Sequence, residues 1–376
     1  MTSAIRHAPP VLVVRDARAE DNAALIALAA SCPMVGEMTM CMERTPDFFT
    51  LSELEGSGCR VGVAELSDGV VGCIMAAERS TYVDGRVMPT AYVGDLKVDP
   101  RHRGGAAADS LIAFARDACG EFGGRHTPII GTVLAGNKAM ERRSAGPRGL
   151  PILDPLAVLK VYAIPFLWRR SSSVSGLRVE PARDDDIPEM AELWLRHAPE
   201  RQFAPVLDAA SLRAFVDRAP GLAIHDYLVA RRSDGRIVGF MALWDQRAFK
   251  QLRVLDYSRR LTMARRVVNM VSPMVGNAPL PPAGAILRTL TALHLCAPEA
   301  DASVLRALLL HAYDTRRGTG PLFFTLALDR RDPRGMSLSG LLAQPTAVNA
   351  FITSPTGRWV GQPLSGRPLY FESALV

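Results

Sequence analysis

Apolar and polar positions along this chain change register in an order that occurs twice. An extended apolar stretch at Val14 leads through Glu20 and Asp21 into a helical pattern that runs through Leu28. Two apolar runs then meet at Ser67-Asp68-Gly69, where Asp and Gly tolerate the positive φ of a tight hairpin. The second run spans about 70–77, and after a turn at Asp84-Gly85 a fourth strand is predicted over 91–98. From 104 to 119, Ala107, Leu111, Ala115 and Ala118 recur at helical spacing, and 127–135 returns to strand. Strands and helices interleaved in this way predict a mixed α/β fold.

The second half repeats the first. Val14 through Asp21 and the helix to Leu28 are echoed by Val179 through Asp186 and a helix to Leu193, at an offset of 165 positions. The hairpin with Val63, Asp68-Gly69 and Gly72 returns as Val229, Asp234-Gly235 and Gly239, and a duplication explains both echoes. The small, polar WRRSSSVSG at 168–176 reads as a linker, so the expected division is 1–167, linker 168–176, and 177–376. Each half is expected to hold a central mixed sheet flanked by helices.

Composition narrows the class. At 376 residues, 48% hydrophobic and 22% charged, the chain is too long for one small module and too apolar for a disordered or fibrous one. Its net charge of +6 is carried almost wholly by arginine, since Lys97, Lys138, Lys160 and Lys250 are its four lysines. That suits an anionic ligand. The arginine doublets are scattered and lack interleaved aromatics, so no nucleic-acid partner is expected. Six cysteines at irregular intervals, without C-x-x-C pairs or histidines at ligand spacing, read as reduced thiols, and no metal is expected. Residues 1–10 lack a signal-like apolar stretch, and the longest apolar region, 151–168, is broken by Asp154, Lys160 and three prolines. A cytoplasmic enzyme or binding protein is the expectation.

Candidate chemistry concentrates at Arg101-His-Arg-Gly104-Gly105-Ala106, between the fourth strand and its helix. Backbone N–H groups at a helix N-terminus point outward, the helix dipole adds positive potential, and the missing β-carbons at Gly104 and Gly105 let a phosphate approach. The short pattern [Gln/Arg]-x-x-Gly-x-[Gly/Ala] also matches Arg218-Ala-Pro-Gly221-Leu-Ala223, but there it runs from a helix into a strand, the wrong order for an anion cradle.

Gly94-Asp-Leu-Lys-Val-Asp-Pro-Arg-His-Arg-Gly-Gly-Ala106 resembles the acyl-CoA-binding motif of the GCN5-related N-acetyltransferase (GNAT) superfamily, and the resemblance covers the first half end to end. It implies two tandem domains of the GNAT fold and acetyl-CoA, or another acyl-CoA, as co-substrate. It also implies direct transfer of the acyl group to an amine of a small molecule or peptide. Residues implied to hold the cofactor are Leu96 and Val98 along the pantetheine arm, then Arg101, Arg103, Gly104, Gly105, Ala106 and Ala107 around the pyrophosphate, and Asn137 beside the arm. The second half resembles a degenerate copy: its strand at 290–295 leads into a segment without glycine that carries Glu299 and Asp301, charges that repel CoA.

An amine of pKa near 10.4 is neutral only about once in 2,500 molecules at pH 7, so a base or a desolvating pocket must help. Asp95 and Tyr92, on the motif strand, are the candidates, and Asp95 is equally readable as an acceptor for loop N–H groups. Many relatives carry a glutamate where this chain has Gly94, and a tyrosine acid where it has Ser144, which leaves Tyr82, Tyr162 or water for that part. The segment 34–49, with Glu37, Glu43 and Asp47, is read as shaping a pocket for a cationic amine, or as simply solvated. His294 reads as a core histidine, and Asp184 to Asp186 as a helix start. The stretch 252–271, with Val254, Tyr257, Leu261, Ala264, Val268 and Val271 on one stripe, is expected to be a surface helix packed on the second half; the alternative is a helix lying on a membrane. Two rival functions stay open: a longer-chain acyltransferase acting on a lipid or carrier protein, and a non-catalytic acyl-CoA-binding or assembly protein. A homo-oligomer is compatible with all three.

Overall fold

The computed structural model describes residues 11–167, 174–272 and 277–375. Residues 1–10 and most of the expected linker, 168–173, lie outside them.

The first half runs β1 (Val13–Asp16), α1 (Asn22–Ala30), β2 (Met38–Glu43), α2 (Phe49–Leu54), β3 (Gly58–Leu66), β4 (Gly69–Val83), β5 (Arg86–Val98), α3 (Ala107–Gly123), β6 (Ile129–Leu134), α4 (Lys138–Arg143) and β7 (Asp154–Pro165). The second runs β8 (Arg178–Pro181), α5 (Ile187–His197), β9 (Ala204–Pro205), α6 (Ala209–Arg218), β10 (Tyr227–Arg231), β11 (Ile237–Trp244) and β12 (Gln251–Tyr257). It continues through α7 (Arg259–Val271), β13 (Ile286–Leu287), β14 (Thr289–Cys296), α8 (Ala302–Arg316), β15 (Phe323–Asp329) and β16 (Gln344–Thr353).

One sheet spans both halves in the order β1-β3-β4-β5-β6-β16-β7-β15-β14-β11-β10-β8, with β9 added on β4. Its pairings are antiparallel except β5 with β6 and β14 with β15. At the middle the halves exchange strands: β16 sits between β6 and β7, and β7 lies beside β15. A small second sheet, β13-β12-β2, joins the halves again.

The hairpins form where Asp-Gly pairs stand. Asp84 and Gly85 both take positive φ, 50° and 81°, the requirement of a two-residue turn that matches strand twist. β4 and β5 both extend to this turn, further than their apolar runs predict, because polar Glu78, Arg79 and Ser80 interrupt the pattern. Helix α3 lays Ala107, Leu111, Ala115 and Ala118 on one face of the sheet, while α1 buries Leu25 and Leu28 in the core on the other. Gly72 and Gly239 explain one echo of the repeat. A β-carbon on Gly72 would meet Leu111 of α3 and the Lys97 carbonyl, each at 3.0 Å, and one on Gly239 would meet Val304 of α8 at 2.4 Å and the Cys296 carbonyl at 3.0 Å. Both glycines seat a helix against the strand beside it.

Two expectations change. The stretch 252–271 is not one helix: β12 pairs with β2, and only Arg259–Val271 is helical. None of that helix's residues is fully buried, and of its apolar residues Leu261 packs on Val254, Tyr257 and Leu287, so the helix rests on the second half through one apolar residue rather than a stripe. The carboxylates of 34–49 are committed to the fold itself: Glu43 pairs with Arg253 at 2.6 Å, Asp47 holds Thr50 and the Phe49 amide, and Glu37 accepts from Ser258.

Candidate functional site

β5 and β6 pair only through Ala91, Tyr92 and Val93, opposite Ile129, Ile130 and Gly131, and then part. The cause lies in β5. Asp95 takes φ +55°, and the register against β4 slips there between Gly94 and Lys97, a bulge that bends the strand away. β6 pairs with β16 along its other edge over its whole length, so past Gly131 its near edge faces β5 unpaired, which leaves a V-shaped cleft whose β5 wall carries Leu96 and Val98. The Val98 carbonyl accepts from Arg103 Nε at 3.2 Å.

At the mouth of the V, Asp99 accepts from the Arg101 amide at 2.8 Å and holds its guanidinium at 2.7 Å, shaping the turn before the glycines. Gly104 takes φ +86° with nothing within 4 Å of a β-carbon position, and at Gly105 only the His102 carbonyl, at 3.6 Å, is near. Ala106 caps α3 without a side-chain hydrogen bond, so no side chain competes for the amides of its first turn. These residues fit a pyrophosphate. Asn137 caps α4, its Oδ1 accepting from the Met140 amide at 3.3 Å, and Arg143 ties that helix to Asp109 of α3 at 2.9 Å.

Asp95 is the centre of a buried charge cluster. Arg44, 1% exposed, lies 2.5 Å from its carboxylate, and Lys97 pairs with it as well. Burial alone raises a carboxyl pKa, but Arg44 and Lys97 override that and hold Asp95 ionised well below the usual carboxylate range. Arg44 Nε and Nη1 are buried without a hydrogen-bond partner among the described residues. Lys250 completes the cluster from the second half: burial, then Arg44, pushes its ammonium down to about 7, against the pull of Asp95. Sequence reasoning missed Arg44 and Lys250. The available signal was rarity, since two of four lysines, Lys97 and Lys250, converge here.

Lys250 lines a cavity of about 310 Å³ where the halves meet, with Met42, Thr132, Leu134, Val161, Leu252 and Val348 among its walls. Tyr92 stands behind it, its hydroxyl 2.9 Å from Thr132 Oγ1 and Arg79 over its ring. A β-carbon on Gly94 would meet the Tyr92 ring at 2.8 Å, so the phenol fills the space where a side chain at 94 would begin. Burial raises its pKa, which keeps it a neutral hydrogen-bonding group. Ser144 donates to the Glu141 carbonyl at 2.7 Å, at the end of α4. Tyr82 pairs with Val87, eight residues along β5 from Asp95 or ~26 Å at the usual strand rise. Tyr162 alternates with the cavity-lining Val161 and so faces the other side of the sheet.

The second half repeats the V and fills it. β14 and β15 pair only at Thr289, Leu290 and Thr291, and the same bulge recurs at His294, φ +51°. Here the chain itself enters: the Leu369 amide donates to Asp329 at 2.8 Å, and Glu372 accepts from the His294 amide at 2.9 Å. Burial lifts the Glu372 carboxyl to about 7. The start of α8 is closed as well, because Asp301 caps it through the Ser303 amide at 3.1 Å and pairs with Arg232 at 3.3 Å.

His294 is buried, with Nδ1 2.7 Å from the Tyr227 hydroxyl, and burial pushes its pKa down to about 3. An unfolded histidine titrates near 6.5, so between those values the unfolded chain takes up a proton that the native one refuses, and stability falls as pH drops through the window. From pH 6.5 to 4.5 His294 alone contributes a loss of about 2–3 kcal/mol, opposed by Glu372, whose raised carboxyl takes up a proton in the native state over the same window. His294→Asn, a residue that tolerates positive φ, is expected to be less stable at pH 7 and to show a smaller drop between those pH values in urea unfolding; an unchanged drop would assign the acid sensitivity elsewhere.

No protein-family model matches the chain, and no curated protein matches it in sequence. Solved structures do match along nearly its whole length. N-myristoyltransferase of Saccharomyces cerevisiae, solved with bound myristoyl-CoA and inhibitors, is 12% identical at a TM-score of 0.62, covering 98% of this chain and 88% of that one. A GCN5-related N-acetyltransferase from Sphaerobacter thermophilus is 12% identical at a TM-score of 0.57, over 92% of this chain and 96% of that one. Another, from Anabaena variabilis, is 13% identical at 0.52, over 92% and 73%. The chain has the fold of the GCN5-related N-acetyltransferases.

Proposed function

We propose that this protein is an acyl-CoA-dependent N-acyltransferase that transfers an acyl group, acetyl in the simplest case, directly to an amine in a ternary complex. One observation carries the reading: the open V of β5 and β6 leads from the uncapped, glycine-flanked start of α3 to a cavity edged by a half-buried lysine. The co-substrate supplies an activated thioester. Gly104, Gly105 and the first amides of α3 hold its pyrophosphate, and the β5 backbone at Leu96 and Val98 guides the arm. Lys250, about half neutral near pH 7, accepts the acceptor's proton. The burial and the cations that depress the Lys250 ammonium disfavour an acceptor ammonium equally, so the amine arrives neutral. Lys97 and Lys250 also supply positive charge for a departing thiolate, in place of an acid at Ser144. Asp95 serves as counter-ion to Arg44 and Lys97. The second half, 177–376, with its V filled by its own chain, acts as scaffold and supplies one wall of the acceptor cavity.

A longer acyl chain is the second reading, because the cavity has apolar walls at Met42, Leu134, Val161, Leu252 and Val348 and exceeds what an acetyl group needs. Thiol release from acetyl-, butyryl- and myristoyl-CoA against a panel of small and peptide amines tests both. Expected is amine-dependent release whose kcat/KM rises with pH through about 7, and a loss of about 10²-fold or more in Lys250→Met. Binding of CoA without release for any donor and amine overturns the transferase in favour of an acyl-CoA-binding protein.

A further inference from the structure

Helix α7 is turned the wrong way round for a surface helix. A helix on a globular protein buries its apolar stripe and presents polar residues to water. Here the inward side holds one apolar residue, Leu261, packed on Val254 and Tyr257, and is otherwise polar and anchored. Arg265 donates to the Leu280 carbonyl at 3.2 Å and lies over the Tyr257 ring, and Asn269 exchanges hydrogen bonds with the Leu280 backbone at 3.0 and 2.7 Å. The outward side carries Met263, Val267, Met270 and Val271, with Met263 70% and Met270 67% exposed. At 3.6 residues per turn these four fall within an arc of about 100°.

Two further features belong to the same face. Arg259 and Arg266 are exposed beside the ridge, Arg260 is exposed in line with it one turn before Met263, and the helix holds no acidic residue. Arg259 and Arg260 stand in its first turn, where the helix dipole disfavours positive charge, so local helix stability does not account for them. The apolar surface also continues beyond the helix. Ser258, the cap of α7, donates its amide to the Glu37 carbonyl at 2.8 Å, which places the turn before β2 at the start of the helix. Val35 in that turn is 86% exposed and Met34 is exposed as well.

We propose that α7 and the 34–35 turn form a docking face for an anionic lipid bilayer. Methionine and valine enter the interface between headgroups and chains, while the arginines keep their heads at the phosphates. The charge excludes a second copy through the same face, since each copy would bring the same uncompensated arginines. A 13-residue helix, ~20 Å long, is also short of the area that a specific protein interface buries. Docking would hold the roof of the cavity, where β12 contributes Leu252, against the membrane. The inference does not depend on the acyltransferase reading.

The test uses the full chain and sedimentation with vesicles of phosphatidylcholine alone or with about 30 mol % phosphatidylserine. Expected is about tenfold or stronger partition onto the anionic vesicles, weakening as salt rises. Met263→Asp/Met270→Asp and Arg259→Glu/Arg266→Glu should each lose about tenfold. All four positions are exposed, and unchanged thermal melts verify that the variants fold. Equal or absent binding to the two vesicle types, or variants that bind as wild type does, overturns the proposal. Concentration-dependent association lost in Met263→Asp/Met270→Asp, without vesicle binding, assigns the face to a second copy and overturns it too.

Discussion

Gly105→Glu is expected to fold as the wild type does and to lose the stabilisation that CoA confers. The choice between the two glycines follows from the backbone. Gly104 takes φ +86°, so any side chain there strains the loop whether or not a ligand binds. Gly105 has no such restriction, and a β-carbon on it meets only the His102 carbonyl at 3.6 Å, an ordinary contact. The substitution therefore leaves the free protein nearly intact while placing a carboxylate before the uncapped amides of α3, where it repels a pyrophosphate and competes for its donors. At 100 times its dissociation constant CoA should stabilise the wild type by about 2.7 kcal/mol, read as a rise in thermal midpoint, and the variant by close to nothing. Asp301→Ala, which uncaps the matching helix of the second half, is the control: CoA stabilisation there should stay at the wild-type value, because segment 369–372 still fills that V. Equal CoA stabilisation of wild type and Gly105→Glu would remove the cradle from the argument and the transferase with it.

The loop proposed as a cradle was legible because its geometry is local. A strand, two glycines and a helix start within a dozen residues spell out the backbone geometry, and the structure places them in that order. The repeat was legible for a similar reason, as Gly72 and Gly239 are required by helix contacts that lie within each half. The exchange of β7 and β16 was not, because a strand's partner is set by the sheet as a whole and neither sequence carries a mark of its neighbour. β12 misled for the opposite reason: Val254 and Tyr257 fall on a helical stripe by spacing, yet pairing with β2, more than 200 residues away, decides the strand. The charge cluster shows the same limit. Arg44, Asp95 and Lys250 come from three distant segments, and nothing around Lys250 in sequence distinguishes it from a solvated lysine.

Asp95→Asn is expected to destabilise the protein by about 3–5 kcal/mol at pH 7, the usual consequence of removing one partner from a buried ion pair. Asparagine matches the shape of aspartate and tolerates φ +55°, so the change isolates the charge. What remains is the Arg44 guanidinium, 1% exposed, beside Lys97 and Lys250. In the wild type the Asp95 carboxyl is held below the range of an unfolded one, so its contribution is complete above about pH 4 and is lost as pH falls through the folded value. The gap between wild type and variant should therefore close in strong acid. Lys250 has the same sign in a higher window: its folded value of about 7 lies below the unfolded 10.4, the native state binds fewer protons between them, and wild-type stability rises with pH across that window. Lys250→Met should abolish that rise, and added to Asp95→Asn it should recover part of the lost stability, a coupling that a double-mutant cycle in urea measures directly. The same pair of variants separates the two readings of Asp95. As counter-ion, its loss falls on stability, and the slope of rate against pH stays with Lys250. As general base, its loss would leave a stable protein with a collapsed kcat, and the burial of two cations around it would have no purpose in the fold.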